Sequence, residues 1–248
     1  MSVKLKPILY TPSGRAGEYA NHGYALNLYN GCPHGCKYCY VPDIKHIDRE
    51  KFHSSCTPQP NILERLKADL DRLGKLDEPI FLCFSCDPYP LGYNNVLTRD
   101  AITLIKSSEN NVRILTKNGG DARFDFDLLD PNDEFGVTLT TLKKQWEPYA
   151  STPYQRIDAI VKAHVRGIKT WISFEPVIDP DETLSFMERM APYANIFKIG
   201  KLNYHPLAKT IDWRKFAIEA STLATKLGVP FMLKADLRAF LKPGDIDL

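Results

Sequence analysis

Cys32, Cys36 and Cys39 stand in the run Asn30-Gly31-Cys32-Pro33-His34-Gly35-Cys36-Lys37-Tyr38-Cys39-Tyr40, with the spacing C-x3-C-x2-C. Thiolates gathered so closely suit soft metals and iron–sulfur groups. Three of them can hold three irons of a [4Fe–4S] cluster and leave the fourth iron without a protein ligand. An iron with an open position can bind a small molecule and pass it an electron. The competing chemistry is structural zinc, which almost always takes four ligands. His34 could serve as the fourth, but it lies between Cys32 and Cys36, so all four ligands would crowd into one short loop. A remote cysteine (Cys56, Cys83 or Cys86) could also complete a zinc site.

The rest of the chain bounds the setting of this chemistry. Six cysteines in 248 residues, half of them within eight positions, argue for metal or catalytic use in a reducing compartment rather than disulfides. The N-terminal Met1-Ser2-Val3-Lys4-Leu5-Lys6-Pro7 shows no apolar signal core. No apolar run approaches the length that spans a bilayer. A cytoplasmic protein without membrane attachment is expected. A formal net charge of +2 is too small to argue for nucleic acid on composition.

A βα rhythm positions the cysteines. Candidate strands are Tyr24–Tyr29, Pro79–Ser85, Asn111–Lys117, Glu134–Thr141, Lys169–Glu175, Asn195–Gly200 and Val229–Lys234. Several are near-continuous apolar runs, such as Ile80-Phe81-Leu82-Cys83-Phe84, as in parallel strands buried on both faces. Helices lie between them. Asn61 can cap one that carries Ile62, Leu63, Leu66, Leu70 and Leu73 and stops at Gly74. Thr152-Pro153-Tyr154-Gln155 is a capping box with proline at the first helical position, ahead of Ile157, Ile160, Val161 and Val165. Asp179-Pro180-Asp181-Glu182 repeats the start signal before Leu184, Met187 and Met190. A last helix runs through Phe216, Ala217, Ala220, Leu223, Ala224 and Leu227 to Gly228. Strand starts recur at about the 30-residue length of a βα unit. The exception is the long first connection, which holds the cysteines, His46 and His53. The pattern predicts a single α/β domain over residues 1–248, with the cysteine loop at about 30–40. Its expected form is a partial (β/α)6 TIM-type barrel of parallel strands, laterally open because six units are fewer than the eight that close a full barrel.

With an aromatic residue, Tyr38, before the third cysteine, and with its place after the first strand, the loop resembles the signature of the radical S-adenosylmethionine (SAM) superfamily. Asp87-Pro88-Tyr89, Thr116-Lys117, Trp146-Glu147-Pro148, the Arg156 helix and Glu175-Pro176-Val177-Ile178 together look like that superfamily's spore photoproduct lyase-like branch. The resemblance implies a [4Fe–4S] cluster on Cys32, Cys36 and Cys39. It implies that SAM chelates the open iron through its amino and carboxylate groups. It implies reductive cleavage of SAM to a 5′-deoxyadenosyl radical that takes hydrogen from a substrate, with an external one-electron donor of flavodoxin or ferredoxin type. The lyase of that branch repairs a thymine dimer lesion in DNA, so a nucleic-acid substrate is one expectation. Radical modification of a protein or peptide is a second, and a non-enzymatic zinc-loop binding module a third.

The resemblance also points to residues that would hold SAM, expected at C-terminal strand ends. Ser85, Cys86 and Asp87 end the second strand and can accept from the amine. Asp87 before Pro88 is equally a natural turn residue. Lys117 can face the carboxylate. Thr138 and Thr140 share one strand face by period-two alternation, as do Ser173 and Glu175. Glu175 can serve SAM or substrate, or pair with Lys198 or Lys201. Tyr38 and Tyr40 flank the adenine side. In the lyase a cysteine after the second strand returns hydrogen to the product, which makes Cys86 the candidate catalytic thiol. Cys83, inside a strand, reads as buried packing. His46, His53 and His164 read as loop or surface positions, and His205 could face substrate.

Overall fold

The computed structural model describes residues 5–246; Met1–Lys4, in the stretch without a signal core, lie outside the described residues. Seven strands form one sheet: β1 (Ala25–Leu26), β2 (Ile80–Leu82), β3 (Val112–Thr116), β4 (Glu134–Thr138), β5 (Lys169–Val177), β6 (Ile196–Lys201) and β7 (Phe231–Leu233). They pair in chain order and every pair is parallel. Among the described residues β1 and β7 are not paired with each other, so the barrel is partial and open on one side. Five longer helices cross over the sheet: α1 (Ile62–Leu73), α2 (Val96–Ser107), α3 (Pro153–Val165), α4 (Pro180–Met190) and α5 (Trp213–Leu227).

The apolar runs are explained by two burial layers. Leu26, Leu82, Ile114 and Ile172 belong to the main core. Their strand neighbours Ala25, Phe81 and Trp171 belong to a second cluster with Tyr19 and Ala20. Successive side chains on a strand point to opposite faces, so both faces of this sheet are covered. Gly136 makes room inside: a β-carbon there would lie 2.3 Å from the Trp171 ring.

Helix ends follow their sequence signals, with two differences. The Thr152 Oγ1 accepts from Gln155 N–H at 3.3 Å and the Gln155 Oε1 from Thr152 N–H at 2.9 Å, a closed capping box. Asp179 caps α4 by accepting from Glu182 N–H, and Gly228 ends α5 with φ +70°. Asn61 precedes α1 but its side chain makes no cap bond. The buried face of α3 is Arg156, Ala159, Ile160 and Ala163, not the stripe through Val165, which is 76% exposed. An inward arginine explains that shift. No helix among the described residues is long and apolar enough to cross a membrane.

Candidate active site at the strand ends

The first candidate strand is shorter than Tyr24–Tyr29, and this difference builds the site. After Leu26 the Asn27 Oδ1 accepts from Phe84 N–H at 2.9 Å and Ser85 N–H at 2.8 Å. A side chain thus replaces the backbone ladder, and the chain swings away so that Tyr29–Asn30 pairs antiparallel with Thr57–Pro58. Gly31 follows with φ +81°, and a β-carbon on it would lie 2.0 Å from the Ser55 carbonyl oxygen. The cysteine loop is then held on two sides. Cys32 N–H donates to Phe52 O at 3.2 Å, and His53 Nδ1 lies 2.8 Å from Cys32 O. Opposite, Lys37 N–H donates to Trp146 O at 3.0 Å and Tyr149 N–H to His34 O at 3.2 Å. His53 is therefore half-buried against the loop, whereas His46 is exposed.

All six cysteines are free thiols, and Cys32, Cys36 and Cys39 line one open cavity of about 340 Å³. Among the described residues no three His, Cys, Asp or Glu side chains meet around a single point. The three thiols share the wall of one cavity. Burial pushes the Cys36 thiol up to about 12, and burial likewise raises Cys32 and Cys39. Such thiols stay neutral until positive charge arrives, and an iron group supplies it. His34 is already engaged: its Nε2 accepts from Leu91 N–H at 3.2 Å, and its Nδ1 lies 3.5 Å from Asp87 Oδ2. Burial lowers its pKa, which keeps the imidazole neutral. Its Nε2 is thereby spent on the Leu91 N–H, and only Nδ1, facing Asp87 without a hydrogen bond, is left to a metal. The donor set fits an iron–sulfur group with one uncapped iron.

A buried polar anchor centres on Glu147 and Arg156, to which the sequence reading assigned no role; it draws in Tyr38 and Thr140, which that reading expected at SAM. The Tyr38 hydroxyl donates to Glu147 Oε1. Thr140 Oγ1 donates to the same oxygen at 3.0 Å, and Arg156 Nη2 pairs with Glu147 Oε2 at 2.6 Å. Arg156 also donates to Thr138 O at 2.9 Å and to Ser151 O at 2.7 and 3.1 Å. Burial pulls the Glu147 carboxyl upward, but the charges of Arg156 and Lys117 outweigh it and hold the group below the usual carboxylate range. The available signal was an arginine three and four residues before Ala159 and Ile160, on a face that otherwise goes inward.

The strand ends complete the wall. Tyr38, Ser85, Cys86, Asp87, Lys117, Thr138 and Glu175 all line the cavity with the three cysteines. Cys83 lines it too, although it is buried in the turn after β2. Thr140 does not: β4 ends at Thr138, the alternation stops there, and the Thr140 hydroxyl turns to Glu147. Asp87 Oδ1 accepts from Tyr89 N–H at 2.9 Å and Thr116 Oγ1 at 2.6 Å, and Oδ2 accepts from Lys117 N–H at 2.8 Å. Three hydrogen bonds thus hold Asp87, with His34 Nδ1 beside its Oδ2, and it clasps the ends of β2 and β3 together. Lys117 Nζ lies 5.8 Å from the Tyr38 ring centroid. Burial alone would lower its pKa, but charge interactions with Cys36, Glu147 and Asp87 outweigh burial and raise it, so it is a cation. The Glu175 Oε2 takes the Tyr19 hydroxyl at 2.5 Å, and Ser173 Oγ lies 2.8 Å from the same hydroxyl. Gly200 admits this carboxylate, since a β-carbon there would lie 2.7 Å from it. Tyr40 is exposed and donates to Phe84 O at 3.3 Å. His205 packs on Trp146, ring centroids 4.8 Å apart, and is not on the cavity wall. His164 is exposed beside Tyr193. Lys201, Tyr204 and Lys234 also line the cavity; of these, sequence reading weighed only Lys201, as a partner for Glu175.

Comparisons with known proteins agree with this architecture. The family model of the radical SAM superfamily matches residues 26–191. An uncharacterized protein of Methanocaldococcus jannaschii, MJ0683, is 30% identical over 191 residues, which cover 73% of this chain and 70% of that protein. An uncharacterized protein of Acidianus two-tailed virus, ORF301, is 25% identical over 202 residues, covering 73% of this chain and 64% of that one. Among solved structures, a spore photoproduct lyase mutant with bound AdoMet and dinucleoside spore photoproduct has a TM-score of 0.61 at 17% identity, covering 76% of this chain. SuiB of Streptococcus suis bound to S-adenosylmethionine has a TM-score of 0.64 at 10% identity, covering 90% of this chain. The alignments span 59% of that lyase chain and 53% of SuiB. At these identities the likeness is one of fold.

Proposed function

This chain belongs to the radical SAM superfamily and is a radical SAM enzyme, and we propose that Cys32, Cys36 and Cys39 hold its [4Fe–4S] cluster and that its substrate is a nucleic acid. When bound, the cluster supplies one electron to SAM, and the carbon radical so released takes a hydrogen atom from the substrate. The chain's own residues bind and orient. Lys117, a cation on the cavity wall, is assigned the SAM carboxylate. Ser85 is assigned the amine, because Asp87 already accepts three hydrogen bonds within the protein and acts by fixing the Lys117 backbone. Thr138, Ser173 and Glu175 are assigned the ribose hydroxyls. Tyr38, fixed by Glu147, walls the adenine side, and Thr140 acts through that same carboxylate. Cys86, a thiol on the same wall, is assigned the return of a hydrogen atom to the product radical, and the thiyl radical so left is restored by one electron from the external donor and a proton. We further propose one domain over residues 1–248, a cytoplasmic site of action, and reduction by a flavodoxin or ferredoxin.

The observation that carries the reading is the opening of three free thiols, a lysine ammonium and the strand-end hydroxyls onto one cavity. The nucleic-acid clause rests on the motif likeness to the lyase branch and on fold likeness to the lyase. Anaerobic reconstitution followed by dithionite and SAM tests the chemistry: 5′-deoxyadenosine should form. Cys36→Ala should lose both the visible absorbance and the product, and full cleavage by that variant would sink the ligand assignment.

A further inference from the structure

The cavity wall has a second pole to which no SAM contact is assigned. The cysteine loop and Lys117 follow the first and third strands of the sheet, whereas Lys201 and Tyr204 stand at and beyond the end of the sixth. The lining lysines are Lys117, Lys201 and Lys234, against only two lining carboxylates, Asp87 and Glu175. Both carboxylates are hydrogen-bonded within the protein. Lys201 is the informative cation. Its Nζ sits between two aromatic faces, 5.8 Å from the Trp213 centroid and 5.9 Å from that of Phe240. Its hydrogen-bond acceptor is the Leu202 carbonyl at 3.5 Å, and it forms no ion pair with a described residue. Aromatic faces orient a lysine without neutralising it.

Three residues on, Tyr204 is held at φ +57° with 82% of its surface exposed. A left-handed backbone disfavours a β-carbon, and an exposed ring forgoes burial. Glycine or asparagine would fit that turn more easily, so the ring at the rim calls for a use. An oriented ammonium and an exposed aromatic ring on one cavity wall match a phosphate and a neighbouring base. Base stacking on aromatic rings and backbone contact to lysine are how single strands are gripped. An acidic peptide would satisfy the lysine but leave the ring without a planar partner.

We propose that Lys201 and Tyr204 form the substrate clamp at this pole, Lys201 taking a phosphodiester and Tyr204 stacking on the adjacent base. The clamp determines specificity for a single-stranded or locally opened nucleic acid entering through the open side of the barrel. It deepens the nucleic-acid reading above and rests on it.

Fluorescence anisotropy with an oligothymidylate of about ten nucleotides, on the full chain reconstituted anaerobically with SAM, tests it across a salt series. Wild type should bind with a steep salt dependence. Lys201→Gln should weaken binding about tenfold at low salt and reduce the salt slope by about one. Lys201→Arg should retain the slope. Tyr204→Ala should weaken binding between about fivefold and about a hundredfold with the slope unchanged. The Tyr204 side chain is largely in solvent, so that variant should fold even if Lys201→Gln does not. Wild-type affinity and slope in Lys201→Gln and Tyr204→Ala would overturn the clamp. So would a wild type that binds no oligonucleotide, or equal competition by an acidic peptide of the same charge. Wild-type formation of 5′-deoxyadenosine without oligonucleotide, measured in parallel, reports on the cluster pole separately.

Discussion

Glu147 and Arg156 show what a buried pair does when it is built for placement. The side chains are 4% and 1% exposed, and their 2.6 Å contact is joined by Tyr38, Thr140, Thr138 and Ser151. Removing one charge leaves the other uncompensated in low dielectric, which costs about 3–5 kcal/mol, whereas replacing both by apolar residues is often near neutral. Urea unfolding of the metal-free chain should therefore show Glu147→Gln destabilised by about that amount, and Glu147→Met with Arg156→Met together less destabilised than Glu147→Gln alone. A second residue makes a prediction in pH. Lys198 is buried beside the Trp171 ring at 4.3 Å and donates to Tyr19 O at 3.3 Å. Burial first, then the Arg113 charge, lowers its pKa to about 8 from 10.5. Between those values the folded chain holds fewer protons than the unfolded chain, so this lysine's contribution rises with pH through that window. Lys198→Met should be more stable than wild type near neutrality, by up to about 3 kcal/mol from 1.36 kcal/mol per unit. Tyr19 O keeps Arg113 as a donor in that variant. Unfolding at pH 7 and above pH 10 should show the advantage shrinking; an advantage constant with pH would contradict the assignment.

Among elements, the cysteine loop and α3 carry most of the positioning. Gly31 meets the Ser55 carbonyl so closely that any side chain must displace the loop from the 52–55 turn. Gly31→Ala should keep its far-UV circular dichroism yet bind well under the about four irons per chain of a full cluster, read by iron analysis after anaerobic reconstitution. On α3, Thr152→Ala opens the capping box and should cost about 1 kcal/mol, lowering the unfolding midpoint and loosening the helix that delivers Arg156. These elements differ in how openly their residues declare them. The three cysteines lie within eight positions, so type and spacing alone single them out. The box on α3 is likewise local, and so were the strand cores. The inward face of α3 was not legible, because a partner beyond the capping box, Glu147, turns Arg156 inward. The first strand read too long for a similar reason. Asn27 looks like any strand residue until its partners at Phe84 and Ser85, 57 and 58 positions away, are in view.

At the scale of the molecule, seven strands leave the sheet open, and its inner face is rich in polar groups: Arg113, Ser173, Lys198 and Lys234 all contact one residue, Tyr19. That residue ends the short helix Gly14–Tyr19, which precedes the first strand. Its hydroxyl meets Ser173 and Glu175, its carbonyl meets Arg113 and Lys198, and its ring lies 4.0 Å from the Lys234 Nζ and 5.7 Å from the Trp171 centroid. Burial, with Glu175 beside it, raises the phenol well above its ordinary value, so it remains a donor at neutral pH. The segment before β1 thus fills the interior that eight closed strands would otherwise pack with their own side chains. Nothing near Tyr19 in sequence announces this, because its hydroxyl partners lie 154 and 156 positions away. Ala16 and Tyr19 of this segment also line the cavity, where exclusion of water suppresses side reactions of a reactive intermediate. Tyr19→Ala should then cost about 3–5 kcal/mol, as for other large aromatic truncations. Tyr19→Phe, which keeps the ring and removes only the donor to Glu175, should cost about 1–3 kcal/mol. Thermal melts would rank the two, and limited proteolysis should cut residues 5–24 of Tyr19→Ala before the barrel unfolds. A Tyr19→Ala chain that melts with wild type and resists cleavage there would mean that the sheet closes its own interior.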